Sequence, residues 1–247
     1  GRREWFALFW LALTGNVLYY LLLSNGVQLG GIAMASLVMG FLPVIVTLVG
    51  SRHEGAVPLR RLLPSLLLCA AGTLCIGWQA LDVPEGSTLG RQFAGFACAI
   101  GALISWTWYA VTNRRWLTRL NRVSVHEWNL LLGVVTFAQT VLLVPIALWF
   151  YSESHTGMAW ARLAGVAAGL ALFASMIGNA LWNRASRLLP LTLVGQMIVF
   201  ETLFALLYGF LWEWRLPTLL ETVAFVLVVL SVISCLRAHA GQSPAHG

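Results

Sequence analysis

The stretch that decides the fold is Gln196-Met-Ile-Val-Phe-Glu201-Thr-Leu-Phe-Ala-Leu-Leu-Tyr208-Gly209-Phe-Leu-Trp-Glu213, an apolar run with one carboxylate, Glu201, near its middle. A run of this length is typical of a helix that crosses a bilayer. A carboxylate at bilayer depth costs roughly 2.5–3.5 kcal/mol on insertion scales, so it persists mainly where it meets water or a partner. Glu201 is therefore the first candidate for a functional residue, and a structural hydrogen-bonding role is the alternative.

The composition of the whole chain agrees with a membrane location. Of 247 residues 59% are hydrophobic and only 10% are charged, and the mean hydropathy is +0.81. This much apolar surface exceeds the needs of a soluble core, so the sequence predicts an all-α, polytopic helical membrane protein. Eight spans are expected, at about 5–24, 29–50, 62–82, 92–113, 127–150, 162–183, 191–212 and 216–236, with turn residues such as Ser24-Asn25-Gly26 in the joints.

The arginines indicate the orientation of the spans. All fifteen basic residues are arginine, and with the amino terminus inside only Arg91, Arg162 and Arg215 lie outside the cell. Cytoplasmic loops carry an excess of basic residues, so both termini are predicted to be cytoplasmic in a multi-pass protein of the bacterial inner membrane. Because the arginines flank apolar spans, the net charge of +6 indicates membrane topology, and we expect no nucleic-acid partner.

The stretch at 196–213 has an echo, that is, a segment of similar sequence, 159 residues earlier, in the span that contains Pro43. Five identities at a single offset indicate duplication, although Thr202 stands in the second copy where the first has the proline. Proline is a common cause of helix bends, so this departure removes the reason to expect the same bend in the second copy. The identical pairs are Phe41/Phe200, Leu48/Leu207, Gly50/Gly209, Glu54/Glu213 and Pro58/Pro217.

A second echo pairs Gly15-Asn16-Val-Leu-Tyr19 with Gly178-Asn179-Ala-Leu-Trp182. In the predicted topology the paired spans run in opposite directions, so the copies form inverted repeats, which in secondary transporters place the substrate site near the midplane. The boundaries are 1–90 for the first repeat, 91–238 for the second and 239–247 for a cytoplasmic tail. The first repeat has three spans and the second five, so we expect two further helices before residue 1, with a protein of eight helices as the alternative.

Few polar residues lie within the spans, and each needs a hydrogen-bond partner or water. For Asn16 and Asn179, cavity lining and backbone binding between helices remain equal alternatives. Gln139 is as readily explained as a contact between helices. Small residues at Gly95-x-x-x-Ala99, Gly165-x-x-x-Gly169 and Ala174-x-x-x-Gly178 predict close helix packing.

The sequence carries no recognisable enzyme constellation. It has no His-Glu-x-x-His, Gly-x-Ser-x-Gly or phosphate-binding glycine loop, so no catalytic residue, metal or cofactor is predicted. The histidines are placed in loops or the tail, which argues against a histidine proton relay, and the four cysteines, all within apolar spans, are expected to be small apolar packing residues. The histidines are His53, His126, His155, His239 and His246.

Several motifs together resemble the ten-helix drug/metabolite transporter superfamily, EamA type. They are Leu42-Pro43-Val with Gly50 and Glu54, the run from Gly95 through Trp106-Thr-Trp-Tyr109-Ala-Val-Thr112-Asn113-Arg114, and Trp182-Asn183-Arg184-Ala185 before Leu188-Leu189-Pro190. The resemblance covers essentially the whole chain, matches helices three to ten, and implies two inverted five-helix repeats. The aromatic run is similar to aromatic amino-acid exporters.

This resemblance implies an exporter of small organic metabolites, with amino acids as the expected substrates, that works by alternating access as a monomer or homodimer. Its cavity would be lined by Asn16, Tyr19, Trp106, Tyr109, Asn179, Trp182, Asn183 and Glu201. An exporter of cationic drugs is the alternative within the transporter class. A membrane-embedded enzyme acting on lipid-linked substrates and a non-transporting scaffold are the alternatives outside it.

Overall fold

The computed structural model describes residues 1–52, 57–79, 88–119, 124–150, 156–214 and 216–240. Within these ranges the chain is helical and contains no strand, which confirms the all-α class. Inverted topology and the missing pair of helices remain predictions. Several residues singled out above lie outside the described part, namely His53, Glu54, His155, Arg215, His246 and positions 241–247 of the tail, and the side chains of Thr202 and Glu213 are not described.

Eight helical stretches occupy the described ranges, and each overlaps one predicted span. Five of them, Arg2–Gly30, Leu89–Arg119, Val125–Ile146, Gly157–Leu188 and Leu219–Ala240, are long and apolar enough to cross a membrane. The chain is therefore a membrane protein with transmembrane helices. In order, the elements are α1 (Arg2–Ala12), a first π-helical segment (Leu13–Val17), α2 (Leu18–Gly30), α3 (Ile32–Gly40), α4 (Leu42–Gly50), α5 (Leu59–Gln79), α6 (Leu89–Arg119), α7 (Val125–Phe150), α8 (Gly157–Gly169), a second π-helical segment (Leu170–Ile177), α9 (Gly178–Leu188), α10 (Leu191–Met197), α11 (Val199–Glu213) and α12 (Leu219–Ala240).

One predicted joint is wrong. Ser24, Asn25 and Gly26 lie inside α2, where the first two side chains donate hydrogen bonds back to the carbonyl of Leu21, at 3.1 and 2.7 Å. Because each side chain is satisfied by its own helix, turn-type residues do not end it. The chain turns instead at Gly31, whose φ of 88° is readily adopted only by glycine.

Two helices begin at capping boxes that use acidic residues. The Ser124 hydroxyl accepts from the Glu127 amide while the Glu127 carboxylate accepts from the Ser124 amide, at 3.1 and 2.7 Å. Thr218 and Glu221 repeat the arrangement at the start of α12, at 3.3 and 2.7 Å. These carboxylates are explained by helix capping, which satisfies otherwise unpaired amides.

The predicted positions of two histidines are wrong, because the helices are longer than the predicted spans. His126 lies in the first turn of α7 and His239 lies near the end of α12, whereas the sequence predicts both in a loop or the tail. The prediction failed because it ended each span with its apolar run, whereas capped helices continue into the polar residues beyond.

Two predicted spans are broken helices. The first breaks at Phe41, between α3 and α4, next to Pro43. The second breaks at Ile198, between α10 and α11, without a proline. In the alignment at offset 159 the two breaks lie within two residues of each other. The two spans that match in sequence therefore share the break although they do not share the proline.

The chain divides into two compact units. Unit 1 consists of Gly1–Leu18 with Thr112–Leu188, and unit 2 consists of Tyr19–Val111 with Leu189–Gly247. In unit 1, α7 packs against α1, the first π-helical segment and α9. In unit 2, α5 packs along α12 and α4 packs against α10.

Close backbone approaches at glycines characterise unit 2. A Cβ added to Gly95 would lie 2.6 Å from the Cα of Gly30, and one added to Gly26 would lie 3.2 Å from the backbone nitrogen of Ala99. The predicted packing face at Gly95 and Ala99 is therefore confirmed, and its partner is a second small-residue face on α2.

Helices α4 and α10 also cross at glycines that allow close approach. Both helices carry Thr-Leu-Val-Gly, at residues 47–50 and 192–195. A Cβ on Gly50 would lie 3.0 Å from the Thr192 nitrogen, and one on Gly195 would lie 2.5 Å from the Thr47 hydroxyl. The two identical tetrapeptides thus pack antiparallel, each threonine against the other's glycine.

In unit 1 the equivalent prediction is wrong. No described atom outside the helix lies within 4 Å of a Cβ placed on Gly165 or Gly169, and Gly178 meets only the Phe173 carbonyl of its own helix, at 3.8 Å. Small-residue spacing permits close packing but does not select which helix uses it.

Candidate functional site

The eight predicted site residues divide equally between the two units. Unit 2 contains Tyr19, Trp106, Tyr109 and Glu201, and unit 1 contains Asn16, Asn179, Trp182 and Asn183.

Glu201 lies in the first turn of α11, directly after the break. Its backbone amide donates to the Ile198 carbonyl at 3.0 Å, and its side chain is exposed. The ring of Tyr19 packs edge-on against Tyr20, with centroids 4.9 Å apart. The helix break thus presents an exposed carboxylate in the unit that also contains these aromatic side chains.

Tyr109 is the second notable group of unit 2. Its side chain is only 3% exposed, and its hydroxyl has no hydrogen-bond partner among the described residues. Trp106, one turn earlier on α6, meets the Tyr109 ring edge-on with centroids 6.0 Å apart. A buried unpaired hydroxyl costs free energy, so such a group is a candidate for binding a ligand or a water molecule.

Asn16 lies in the first π-helical segment and faces α7. Its amide donates to the Thr136 hydroxyl at 3.3 Å, and this hydroxyl donates to the Leu132 carbonyl at 2.9 Å. One turn along α7, the Gln139 amide donates to the Phe9 carbonyl at 2.9 Å. Both side chains therefore join helices within unit 1, which favours the packing alternative for Asn16 and agrees with the contact role considered for Gln139.

Asn183 belongs to a buried chain of amides. The Trp128 indole donates to Asn113, the Asn113 amide to Asn183, and the Asn183 amide to Asn129, at 2.9, 2.7 and 3.1 Å. The Asn129 amide lies 3.5 Å from the carbonyl of Met176 in the second π-helical segment. We call Trp128, Asn113, Asn183 and Asn129 the amide network. It holds α6, α7 and α9 together and accounts for Asn183 as a structural residue.

Asn179 and Trp182 follow the second π-helical segment on α9, and both are half-buried. No hydrogen bond joins the side chain of Asn179 to the described part of the chain. Asn16 and Asn179, equivalent in the sequence echo, therefore differ in the structure: the first binds α7 and the second has an amide left for a ligand.

Sequence reasoning missed most of the amide network. In the sequence, Asn113 is one residue of a longer motif, and Trp128, near the start of its span, is typical of an interfacial tryptophan. A usable signal was available, because Asn113 and Asn183 each precede an arginine within two of the three motifs that carry the family resemblance. Which partner each amide takes depends on tertiary packing, which one sequence does not contain.

The described side chains contain no group of three or more His, Cys, Asp or Glu residues arranged to hold a metal ion. The candidate site consequently rests on a carboxylate, a phenol and aromatic faces. Such groups can bind ammonium, carboxylate and aromatic parts of a small organic molecule.

Comparisons with known proteins give a relative and a fold. The inner membrane protein YtfF of Escherichia coli (strain K12) is 28% identical over 250 aligned positions, which cover 96% of this chain and 78% of that protein. A crystal structure of another protein superimposes with a TM-score of 0.72 over 95% of this chain and 78% of the other, at 20% identity. No protein-family model matches the sequence. At 20% identity the structural match shows a similar fold and nothing further.

Proposed function

We propose that this protein is a secondary transporter of the bacterial inner membrane that exports small organic metabolites, amino acids in particular, by alternating access. The observation that carries the proposal is Glu201 in the first turn after a break in an otherwise apolar span. Broken helices that expose polar groups at membrane depth are typical of transporter binding sites. The location is suggested by the relative, which is named as an inner membrane protein.

The substrate class follows from the chemistry of unit 2. Glu201 would bind the ammonium group, and the unpaired hydroxyl of Tyr109 would donate to a carboxylate or carbonyl oxygen of the substrate. The rings of Trp106 and Tyr19 would pack on the side chain. A zwitterion needs both kinds of partner, and both are found in this unit.

The remaining parts of the proposal follow the predicted architecture. The repeats at 1–90 and 91–238 are inverted, both termini are cytoplasmic, and the two sets of helices alternate access to one site. The breaks at Phe41 and Ile198 support this arrangement, because they recur at nearly equivalent positions of the duplicated spans.

Counterflow tests the proposal. Proteoliposomes preloaded with unlabelled tryptophan, phenylalanine or threonine should accumulate the labelled amino acid above the level of empty liposomes, and excess external unlabelled substrate should abolish the uptake. Absence of counterflow across the panel would remove the amino-acid assignment.

A cationic drug exporter is the second candidate, since a carboxylate beside aromatic faces also binds organic cations. The same proteoliposomes separate the two. Competition by a zwitterionic amino acid supports the first proposal, whereas competition by an organic cation alone supports the second.

A further inference from the structure

Unit 2 contains a buried row of small polar side chains between α5 and α12. The helices are antiparallel, because Gly72 on α5 meets Val228 while Ser65, earlier on α5, meets Ser231, later on α12. The side chains recur every four residues and thus lie on one face of each helix. We call them the polar seam; they are Ser65, Cys69 and Thr73 on α5, and Ser231, Cys235 and His239 on α12.

At the centre of the polar seam, Ser231 contacts Gln196 of α10. The Ser231 hydroxyl lies 2.9 Å from the Ser65 carbonyl and 3.2 Å from the Gln196 side-chain oxygen. A hydroxyl has one proton, and the Ser65 carbonyl can only accept it. Exchanging the oxygen and nitrogen positions of the Gln196 side-chain amide lets its nitrogen donate to the Ser231 hydroxyl. In the other orientation this nitrogen has no partner among the described residues. Gln196 is fully buried, so this contact anchors the end of α10.

Both ends of the polar seam also reach the broken spans. At one end the Thr73 hydroxyl donates to the Gly40 carbonyl at 3.1 Å, immediately before the break at Phe41. At the other end His239 Nδ1 donates to the Cys235 carbonyl at 2.8 Å, which leaves Nε2 to accept from the Thr192 hydroxyl, at 2.7 Å, near the start of α10. Between the ends, the Cys69 side chain is buried.

We propose that the polar seam positions Glu201. Gln196 lies two residues before the break at Ile198, and Glu201 lies in the turn that follows it. Because Ser231 fixes Gln196 and His239 fixes Thr192, the seam sets the direction in which α11 leaves α10. At the other break, Thr73 likewise sets the direction in which α4 leaves α3. α4 in turn packs on α10 where their two Thr-Leu-Val-Gly segments cross. Seam residues thus act on the site without touching substrate. The inference rests on the proposed role of Glu201.

Thiol labelling on α11 tests the position of this helix without requiring transport. Phe204 lies one turn after Glu201 and is 50% exposed. We would place Phe204→Cys in a background with Cys75→Ala and Cys98→Ala, leaving the buried Cys69 and Cys235 in place. The maleimide labelling rate is then compared between this parent and the same protein with Ser231→Ala or Thr73→Val. Ser186→Ala is the matched control, because that buried serine hydroxyl has no partner among the described residues.

Both seam variants should change the labelling rate and the KM for transport by about 3- to 20-fold, the range given by single hydrogen bonds between transmembrane helices. Ser186→Ala should change neither. A labelling rate and KM equal to those of the parent in a folded seam variant would overturn the proposal. Should Ser231→Ala not fold, Thr73→Val decides, because it keeps the shape of the side chain.

The failure of the two proposals is distinguishable. A parent protein that transports nothing refutes the proposed function, while its labelling rates still report whether the seam sets the position of α11. If the parent transports and the seam substitutions change neither the labelling rate nor the KM, only the proposed role of the polar seam is refuted.

Discussion

Unit 1 and unit 2 hold their helices together in different ways. Unit 1 relies on amide side chains that bond across helices, and its glycines at 165 and 169 are uncovered in the described structure. Unit 2 relies on glycines that let backbones approach and on the hydroxyl and imidazole groups of the polar seam, and it leaves Glu201 exposed and the Tyr109 hydroxyl without a partner among the described residues. Both are known means of association between membrane helices, which lack a hydrophobic driving force.

The comparison changes how polar residues within spans are interpreted. Asn183 and Tyr109 are both buried and polar, and the sequence ranks them alike. In the structure Asn183 is hydrogen-bonded through both its oxygen and its nitrogen, whereas the Tyr109 hydroxyl has no described partner. An unsatisfied group, rather than a polar one, is therefore the stronger indication of a binding site.

The largest expected effect tests the packing half of the comparison. Gly95→Ala should lower the free energy of unfolding by about 3 kcal/mol, because the added methyl group meets the Gly30 backbone and the helices must separate. Gly165→Ala, the control in unit 1, should raise it by about 0.5–1 kcal/mol through helix propensity. Unfolding in bicelles measures both. Equal effects of the two substitutions would mean that unit 2 does not depend on close approach.

The next effect tests the amide network. Asn113→Ala removes the acceptor of Trp128 and the donor to Asn183, two hydrogen bonds worth together about 1–3 kcal/mol of unfolding free energy. Asn179→Ala, which loses no described hydrogen bond, should cost less than about 0.5 kcal/mol. The same unfolding assay compares them. Similar losses for both would show that the network contributes no more than an ordinary surface amide.

Glu201→Gln tests the open polar groups of unit 2. Counterflow should fall by at least about tenfold, equivalent to about 1.4 kcal/mol, because a neutral amide no longer binds an ammonium group. Glu127→Gln is the control, since that exposed carboxylate caps α7. Yield and unfolding should match the parent in both variants. Unchanged counterflow in Glu201→Gln would remove this residue from the site.

The smallest effect concerns Tyr109→Phe. Removal of an unpaired buried hydroxyl should leave the free energy of unfolding unchanged or raise it by up to about 1 kcal/mol, while counterflow falls by about three- to tenfold if the hydroxyl binds substrate. Stability and transport would then move in opposite directions. A destabilised Phe variant would indicate that the hydroxyl has a protein partner after all.

The spans were predictable because crossing a bilayer demands a long apolar run, and Glu201 was predictable because it interrupts one. The break at Phe41 lies beside Pro43, which is a local cause, whereas the break at Ile198 lies in a stretch without proline, where α10 packs on α4 and α12. Gly95 and Gly165 show the same limit: their local patterns are alike, and only the fold supplies a partner to one of them.

The two π-helical segments have a consequence for how the sequence can vary. A π turn holds more residues than an α turn over a similar rise, so one residue can be removed from it while an unbroken helix is kept. Leu13–Val17 and Leu170–Ile177 are therefore the places within the long helices where loss of a single codon should be best tolerated. Such a loss would convert the π turn into an α turn and leave the two parts of the helix facing nearly the same way, so that Asn179 would keep its position relative to the preceding part of its span.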